Sequence, residues 1–207
     1  MQLKARDTAL IDEKRLEIVK KAAALFIKQG YLKTTVRQIC HECNLSMGGL
    51  YYYISSKDDI LSLFQEAAFS SLTSLVKLIE ERLSTMGHAT PRETLRLAIE
   101  KYLSVVDEFQ DVIVFWYQEG KNLPPSRREY LFLQEGICAD LFKGPLIKGC
   151  GTGEFKIDKM TLATHAITVL CDMWAFRRWA LRKDYTLEQY AKELTDFILG
   201  GVSGGSG

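Results

Sequence analysis

The chain has 207 residues, 47% of them apolar, only four prolines and a formal net charge of +1. This excludes a disordered polypeptide and leaves material for one or two packed domains. The charge is unevenly spread: residues 1–57 hold ten of the 27 basic residues and five of the 26 acidic ones, a basic head on a slightly acidic body, as expected where one end meets phosphate.

Taken in chain order, the pattern predicts helices almost throughout. Over 13–29, Leu16, Val19, Ala22, Ala23 and Phe26 recur at three- and four-residue steps and form one apolar stripe, stopped by Gly30. Thr34 or Thr35 caps a short helix reaching about Cys43. Asn44-Leu45-Ser46 makes a turn, and Ser46 caps a further helix over about 47–53. Ser55 or Ser56 starts a long one from Lys57 to about Thr85, with Asp58 and Asp59 in the dipole-favoured first turn. Gly87 to Pro91 reads as a break, and Pro91 opens a helix to about 107. Others follow over about 109–119, from after Asn122-Leu123-Pro124-Pro125 to about Lys148, over 158–183 and over 186–200. Gly149 to Gly153 reads as a flexible loop. Gly204-Gly205-Ser206-Gly207 reads as a frayed tail or a cloning scar. The fold class is all-α, about nine helices, divided into a three-helix head (1–56), a helical body (57–200) and a tail (201–207).

The informative stretch is 16–61. Two short helices on a tight turn cannot bury themselves and need the preceding helix behind them. This is the helix-turn-helix arrangement, whose second helix lies in the DNA major groove. Gly48 and Gly49 strip side chains from the start of that helix at a cost of about 1 kcal/mol each, and so let backbone approach a groove floor or phosphate. Tyr51 and Tyr52 offer hydroxyls to phosphate. Thr35 stands at a helix start, where hydroxyl and free amides hold a phosphate. Lys57 adds a point charge. Arg37 reaches a base edge, with guanine the favoured partner.

The run Ile18, Ala22-Ala23, Leu25-Phe26, Gly30-Tyr31, Thr34-Thr35, Ile39, Ser46, Gly48, Leu50-Tyr51, Tyr53 and Lys57 resembles the DNA-binding domain of the TetR family of bacterial repressors. The resemblance implies phosphate contacts at Thr35, Tyr51, Tyr52 and Lys57, and base contacts from Arg37 and the start of the reading helix at Met47 and Gly48, with Ser46 counted in the same DNA-binding set. Met47 stands where the family often has lysine or another polar residue, which makes base reading there apolar. Ile54 replaces the usual phenylalanine. The family also implies a homodimer on a palindromic operator in double-stranded DNA. The last two helices would pair with a second subunit, and a small-molecule effector would sit among the middle helices. Met173 to Trp179 with Tyr185 to Tyr190 is similar to members that answer to fatty acyl-CoA, which would tie the chain to fatty acid metabolism.

Other features have a plain reading beside a sharper one. Cys40-x-x-Cys43 supplies two of the four ligands zinc needs, and buried free cysteine is the simpler account. Glycines 149, 151 and 153 lack the Gly-Lys-Ser/Thr of a phosphate loop. Tyr53 reads as packing, and Lys20, Lys21 and Lys28 as a solvated face. Trp116 and Trp174 line an effector pocket or fill a core, as do Phe176 and Trp179. Arg177 and Arg178 pair with Asp172 or Glu119, or clamp an anion such as a CoA phosphate. His165 reads as an interior or edge histidine. No nucleophile elbow, His-Glu-x-x-His or dinucleotide fingerprint occurs, so neither an enzyme nor a bound cofactor or metal is expected. An enzyme or carrier on a helical scaffold would leave the tyrosine-rich head unexplained, and an architectural binder would show equal affinity for all duplexes. Five cysteines, odd in number and scattered, read as reduced thiols of a cytoplasmic protein. Charges at Lys4, Arg6 and Asp7 stand where an export signal needs an apolar stretch. The longest apolar runs, such as Val112 to Tyr117, fall far below the roughly 20 residues of a membrane span.

Overall fold

The computed structural model describes residues 2–86, 89–122 and 125–203. The expected break at Gly87 and His88, the Leu123-Pro124 step and the Gly204–Gly207 tail lie outside them. Among the described residues there are ten α-helices and one 3-10 turn, with no strand: α1 (Gln2–Gln29), α2 (Val36–Glu42), α3 (Met47–Tyr53), α4 (Lys57–Met86), α5 (Pro91–Glu108), α6 (Gln110–Glu119), the turn Gly120–Asn122, α7 (Pro125–Thr152), α8 (Met160–Phe176), α9 (Arg178–Leu181) and α10 (Leu187–Val202). No helix among them is long and apolar enough to cross a membrane.

The helices form two compact units, Met1–Ser70 with Asp111–Leu131, and Ser71–Gln110 with Phe132–Gly207. In the first, α1 buries Ile18, Val19, Ala22, Ala23 and Phe26. Its stripe is the predicted one, except that Leu16 is only half-buried and Ile18 takes the deeper place. Ile39 and Cys40 of α2, Leu50 of α3, Ile60 and Leu61 of α4, and Val112 and Phe115 of α6 complete this core. The Phe115 ring lies 5.5 Å from that of Phe26. The backbone of α1 starts at Gln2, eleven residues before the predicted start. Residues 2–12 contain neither glycine nor proline, so nothing local stops the helix, although the apolar repeat begins only later.

The second unit is organised around α5. Leu95, Ala98, Ile99, Tyr102, Leu103 and Val106 are all buried at helical spacing. α5 packs on α8 and α10 and its Tyr102 ring meets Phe142 of α7 at 5.5 Å; Leu146 of α7, Ile167, Cys171 and Trp174 of α8, and Leu194, Ile198 and Leu199 of α10 are buried as well. Thr90 caps α5 in a capping box with Glu93, with Pro91 in the first turn as the sequence requires. A polar cluster sits inside: the Tyr102 hydroxyl donates to the buried Asp172 carboxylate at 3.1 Å. Burial, reinforced by Cys138 and Asp172, holds the Tyr102 phenol well above its usual range.

Two further boundaries differ from the sequence reading. The expected loop at Gly149–Gly153 is helical as far as Thr152, and α7 stops at Gly153, whose φ is +76°. Gly149 is glycine for packing, since a Cβ there would fall 2.0 Å from the Phe155 ring. The single helix expected over 158–183 breaks at Arg177, where φ and ψ are −108° and 19°. No glycine or proline marks that break. Side chains on either side are tied to α5 and α6: Trp174 Nε1 donates to Asp107 at 2.7 Å, and Arg178 and Arg182 donate to Gln110 at 3.3 and 3.0 Å.

Candidate nucleic-acid interface

The first unit builds its outer face from α2, α3 and the loops before them. Gly30 ends α1 at φ +87° with open space around its Cα, so the left-handed backbone alone calls for glycine. Thr34 turns inward: it is buried, donates to the Gly30 carbonyl at 2.9 Å and accepts from Gln29 at 3.0 Å. Thr35 turns outward and is the cap. Its hydroxyl accepts from the Gln38 amide at 3.3 Å, and the Gln38 side chain accepts from the Thr35 amide at 2.8 Å. Gln38 was missed in the sequence, though Thr35-x-x-Gln38 is the capping-box spacing.

Asn44 takes φ +53° in the turn, and the Leu45 amide returns to the Cys40 carbonyl at 2.9 Å. Ser46 then caps α3, accepting from the Gly49 amide at 3.0 Å. Leu50 is fully buried and pins α3, with Gly49 and Tyr53 half-buried beside it and Met47, Gly48, Tyr51 and Tyr52 exposed. Met47 is 41% exposed, Tyr51 48% and Tyr52 69%. Arg37 is exposed on α2. The Tyr53 ring packs edge-on against Tyr52 at 5.1 Å. Neither α2 nor α3 has an acid in its first turn, whereas α4 has Asp58 and Asp59. Thus the carboxylates that would repel phosphate are missing where the two capped ends face out.

The two glycines of α3 differ. A Cβ at Gly48 meets nothing within 4 Å, while one at Gly49 would lie 3.2 Å from Ser46 Oγ. Gly49 protects the cap, and no internal contact requires Gly48. Cys40 and Cys43 are both buried. The Cys40 thiol donates to the Met47 thioether at 3.5 Å, and burial pushes the Cys43 thiol up. No group of three potential metal ligands occurs among the described residues.

Lys57 is placed differently from the other candidates. Its ammonium donates to the carbonyls of Tyr31 at 2.8 Å and Thr34 at 3.1 Å and lies 4.1 Å from the centre of the Tyr31 ring. The Tyr31 hydroxyl donates to Asp58. Burial pushes the Lys57 ammonium below the ordinary lysine range, with Asp58 pulling the other way. Asp59 is held low: burial raises it, but hydrogen bonds from Ser55 and Ser56 outweigh that.

Of the residues weighed for an effector, Trp116 belongs to the first unit, half-buried, with its ring 5.1 Å from that of Phe115. Trp174, Arg177 and Arg178 belong to the second. Trp174 is buried, stacked on Tyr190 at 5.2 Å, and has the Arg182 guanidinium 5.1 Å from its ring. Arg182 also donates to Asp107 at 2.7 Å. The exposed Arg177 lies over the ring of Trp179 at 4.9 Å. Arg182 was not anticipated, although it stands one helical turn beyond Arg178. His165 is exposed on α8, which removes the interior half of its interior-or-edge reading.

Residues 18–64 match the family model for bacterial regulatory proteins of the tetR family, and residues 88–202 match that for the tetracyclin repressor-like C-terminal domain. The chain belongs to the TetR family. As a TetR-family chain it is a transcriptional regulator whose first unit holds the helix-turn-helix. It is 30% identical over 191 residues to the transcriptional regulator HbdR of Aromatoleum sp. (strain CIB), covering 90% of this chain and 80% of that one. It is 26% identical to the transcriptional repressor KstR2 of Rhodococcus jostii (strain RHA1), covering 96% of each. Among solved structures, the TetR regulator PfmR of Thermus thermophilus matches with TM-score 0.70 at 27% identity, over 88% of this chain and 96% of that one. Two further structures share the fold: AibR with isovaleryl coenzyme A and operator DNA (TM-score 0.64, 19% identity, 92% and 98% covered), and FadR of Bacillus subtilis with stearoyl-CoA (TM-score 0.66, 22% identity, 89% and 97% covered).

Proposed function

We propose that this TetR-family chain is a repressor that binds a palindromic operator as a homodimer and is released by a fatty acyl-CoA. The observation that carries the DNA-binding part is the face of α2 and α3: two capped ends without acids, with Thr35, Arg37, Ser46, Met47, Gly48, Tyr51 and Tyr52 toward solvent. Thr35 and the two tyrosines take phosphates and fix the register. Arg37 and the Met47-Gly48 start of α3 read bases, Met47 through apolar contact such as a thymine methyl. Two such faces about 34–36 Å apart would enter successive major grooves.

The effector class is supported by the α8–α9 corner, where Arg177, Arg178, Arg182 and Trp174 gather. Guanidiniums beside indoles suit a nucleotide carrying phosphates. The same fold holds coenzyme A thioesters in AibR and FadR. α4 runs from Lys57 in one unit to Met86 in the other and is the lever. Ligand and DNA need only prefer different positions of it.

The test is fluorescence anisotropy at fixed salt on a duplex from the region upstream of the chain's own gene, titrated with stearoyl-CoA. Specific binding followed by release supports the whole reading. Specific binding without release removes the acyl-CoA effector and leaves the repressor. Equal affinity for operator and scrambled duplex removes the repressor.

A further inference from the structure

We propose that Met47 is an oxidation site through which a peroxide releases the chain from its operator: conversion of its thioether to the sulfoxide unmakes base reading at the start of α3. The proposal rests on the DNA-binding reading of the α2–α3 face, and it gives that face a second signal besides an effector.

Met47 opens α3 directly after the Ser46 cap and is exposed to solvent. Met160 and Met173, the other methionines whose side chains are described, are half-buried. The sulfur of Met47 does not swing free. The Cys40 thiol donates to it at 3.5 Å, which tethers it to α2, the helix that carries Arg37. The thiols beside it are worse targets. Cys40 and Cys43 are both buried, and burial pushes the Cys43 thiol up, so little of it is the thiolate that a peroxide needs. A thioether has no proton to lose, so the exposed Met47 sulfur is the one a peroxide reaches first. A sulfur lone pair attacks one peroxide oxygen. The S–O bond forms as the O–O bond breaks, and the second oxygen leaves as water. Sulfur gives up the two electrons that the peroxide gains. An apolar side chain thereby becomes a polar, chiral one. Against a thymine methyl, the sulfoxide oxygen would lose water and meet no donor, and the apolar contact would be lost with it.

The test treats the full chain with hydrogen peroxide and measures its affinity for a duplex that the untreated chain selects from a randomised pool. Peptide mass mapping is run on the same samples, and circular dichroism verifies folding. Loss of affinity is expected to track the gain of one oxygen at Met47 and to reach roughly tenfold per head, as for a mismatched base pair. Methionine sulfoxide reductases should restore it. Its rate should be equal at about pH 6 and about pH 8, whereas thiol oxidation speeds up with the thiolate fraction. Saturating duplex should slow the oxidation by covering Met47. Met47→Leu, compared with its own untreated sample, should lose no affinity on treatment, and Cys40→Ala should lose as much as wild type. Complete oxidation at Met47 with affinity unchanged overturns the proposal and leaves operator binding standing. So does a loss that follows Cys40 or Cys43, that rises with pH, that resists the reductases or that persists in Met47→Leu. An oxidation rate that duplex leaves unchanged also overturns it. If the untreated chain retains no duplex from the pool, the DNA-binding reading itself has failed, and the proposal falls with it.

Discussion

Replacing Gly48 by alanine is expected to stabilise the chain and weaken its hold on DNA. Gly48 lies in the first turn of α3 with space around the position of a Cβ. Alanine there gains helix propensity and meets no neighbour. The gain is roughly 0.5–1 kcal/mol, and 1 kcal/mol corresponds to a rise of about 2–4 °C in Tm for a chain of this size. If the glycine is there so that backbone can approach the groove floor, the same methyl group must push the duplex away. By analogy with an over-packed core, that costs roughly 1–3 kcal/mol per head, or about five- to 150-fold in affinity for each head. Gly49→Ala is the control. Its Cβ would press on Ser46 Oγ at 3.2 Å, so the propensity gain is set against a disturbed cap, which costs about 0.5–2 kcal/mol when lost. Thermal melts and anisotropy on the two variants read both quantities. A Gly48→Ala protein that melts higher and binds operator within twofold of wild type would refute close approach at this position.

Arg37→Ala should lose discrimination between operator and scrambled duplex by roughly tenfold, whereas Thr35→Val should weaken all duplexes alike; competition anisotropy separates the two patterns. Gly149→Ala should destabilise the second unit by about 1–3 kcal/mol, because its Cβ would fall within the Phe155 ring, and Phe155→Leu should recover part of the loss in urea melts. The Cys138 thiol is pushed up by burial from 9.0 to about 12. Above pH 9 the unfolded chain therefore gives up this proton while the folded chain keeps it, so stability must fall as pH rises from about 9 toward 12. Cys138→Ala should flatten that decline in melts between pH 8 and 11, and an equally steep decline in the variant would refute the assignment.

Where a local signal decides the structure, the sequence was legible. Ser46 before Met47 marked the start of α3 correctly, because an N-cap acts on amides two or three residues away. Gly30 marked the end of α1, because a left-handed residue is a property of one position. The same holds for Pro91 at the head of α5. The outward face of α2 and α3 followed too. Leu50 turns inward, and the exposed Met47, Tyr51 and Tyr52 stand around it on the open side of α3.

The readings that missed concern partners far along the chain. Gly149 read as a loop residue, yet it sits in a helix because Phe155 occupies the space of its side chain. Arg177 carried no breaker, yet the helix stops there among bonds to Asp107 and Gln110, some seventy residues earlier. Lys57 looked like any exposed cation at a helix start, and only the fold brings it onto the carbonyls of Tyr31 and Thr34. By itself, then, the sequence determined the all-helical class, the caps and which side chains of α2 and α3 stand exposed, since propensity, capping and amphipathic period act within a few residues. The tertiary structure alone decided which glycine is free, where α7 and α8 end and which groups the cations meet, because these depend on atoms that only folding brings together.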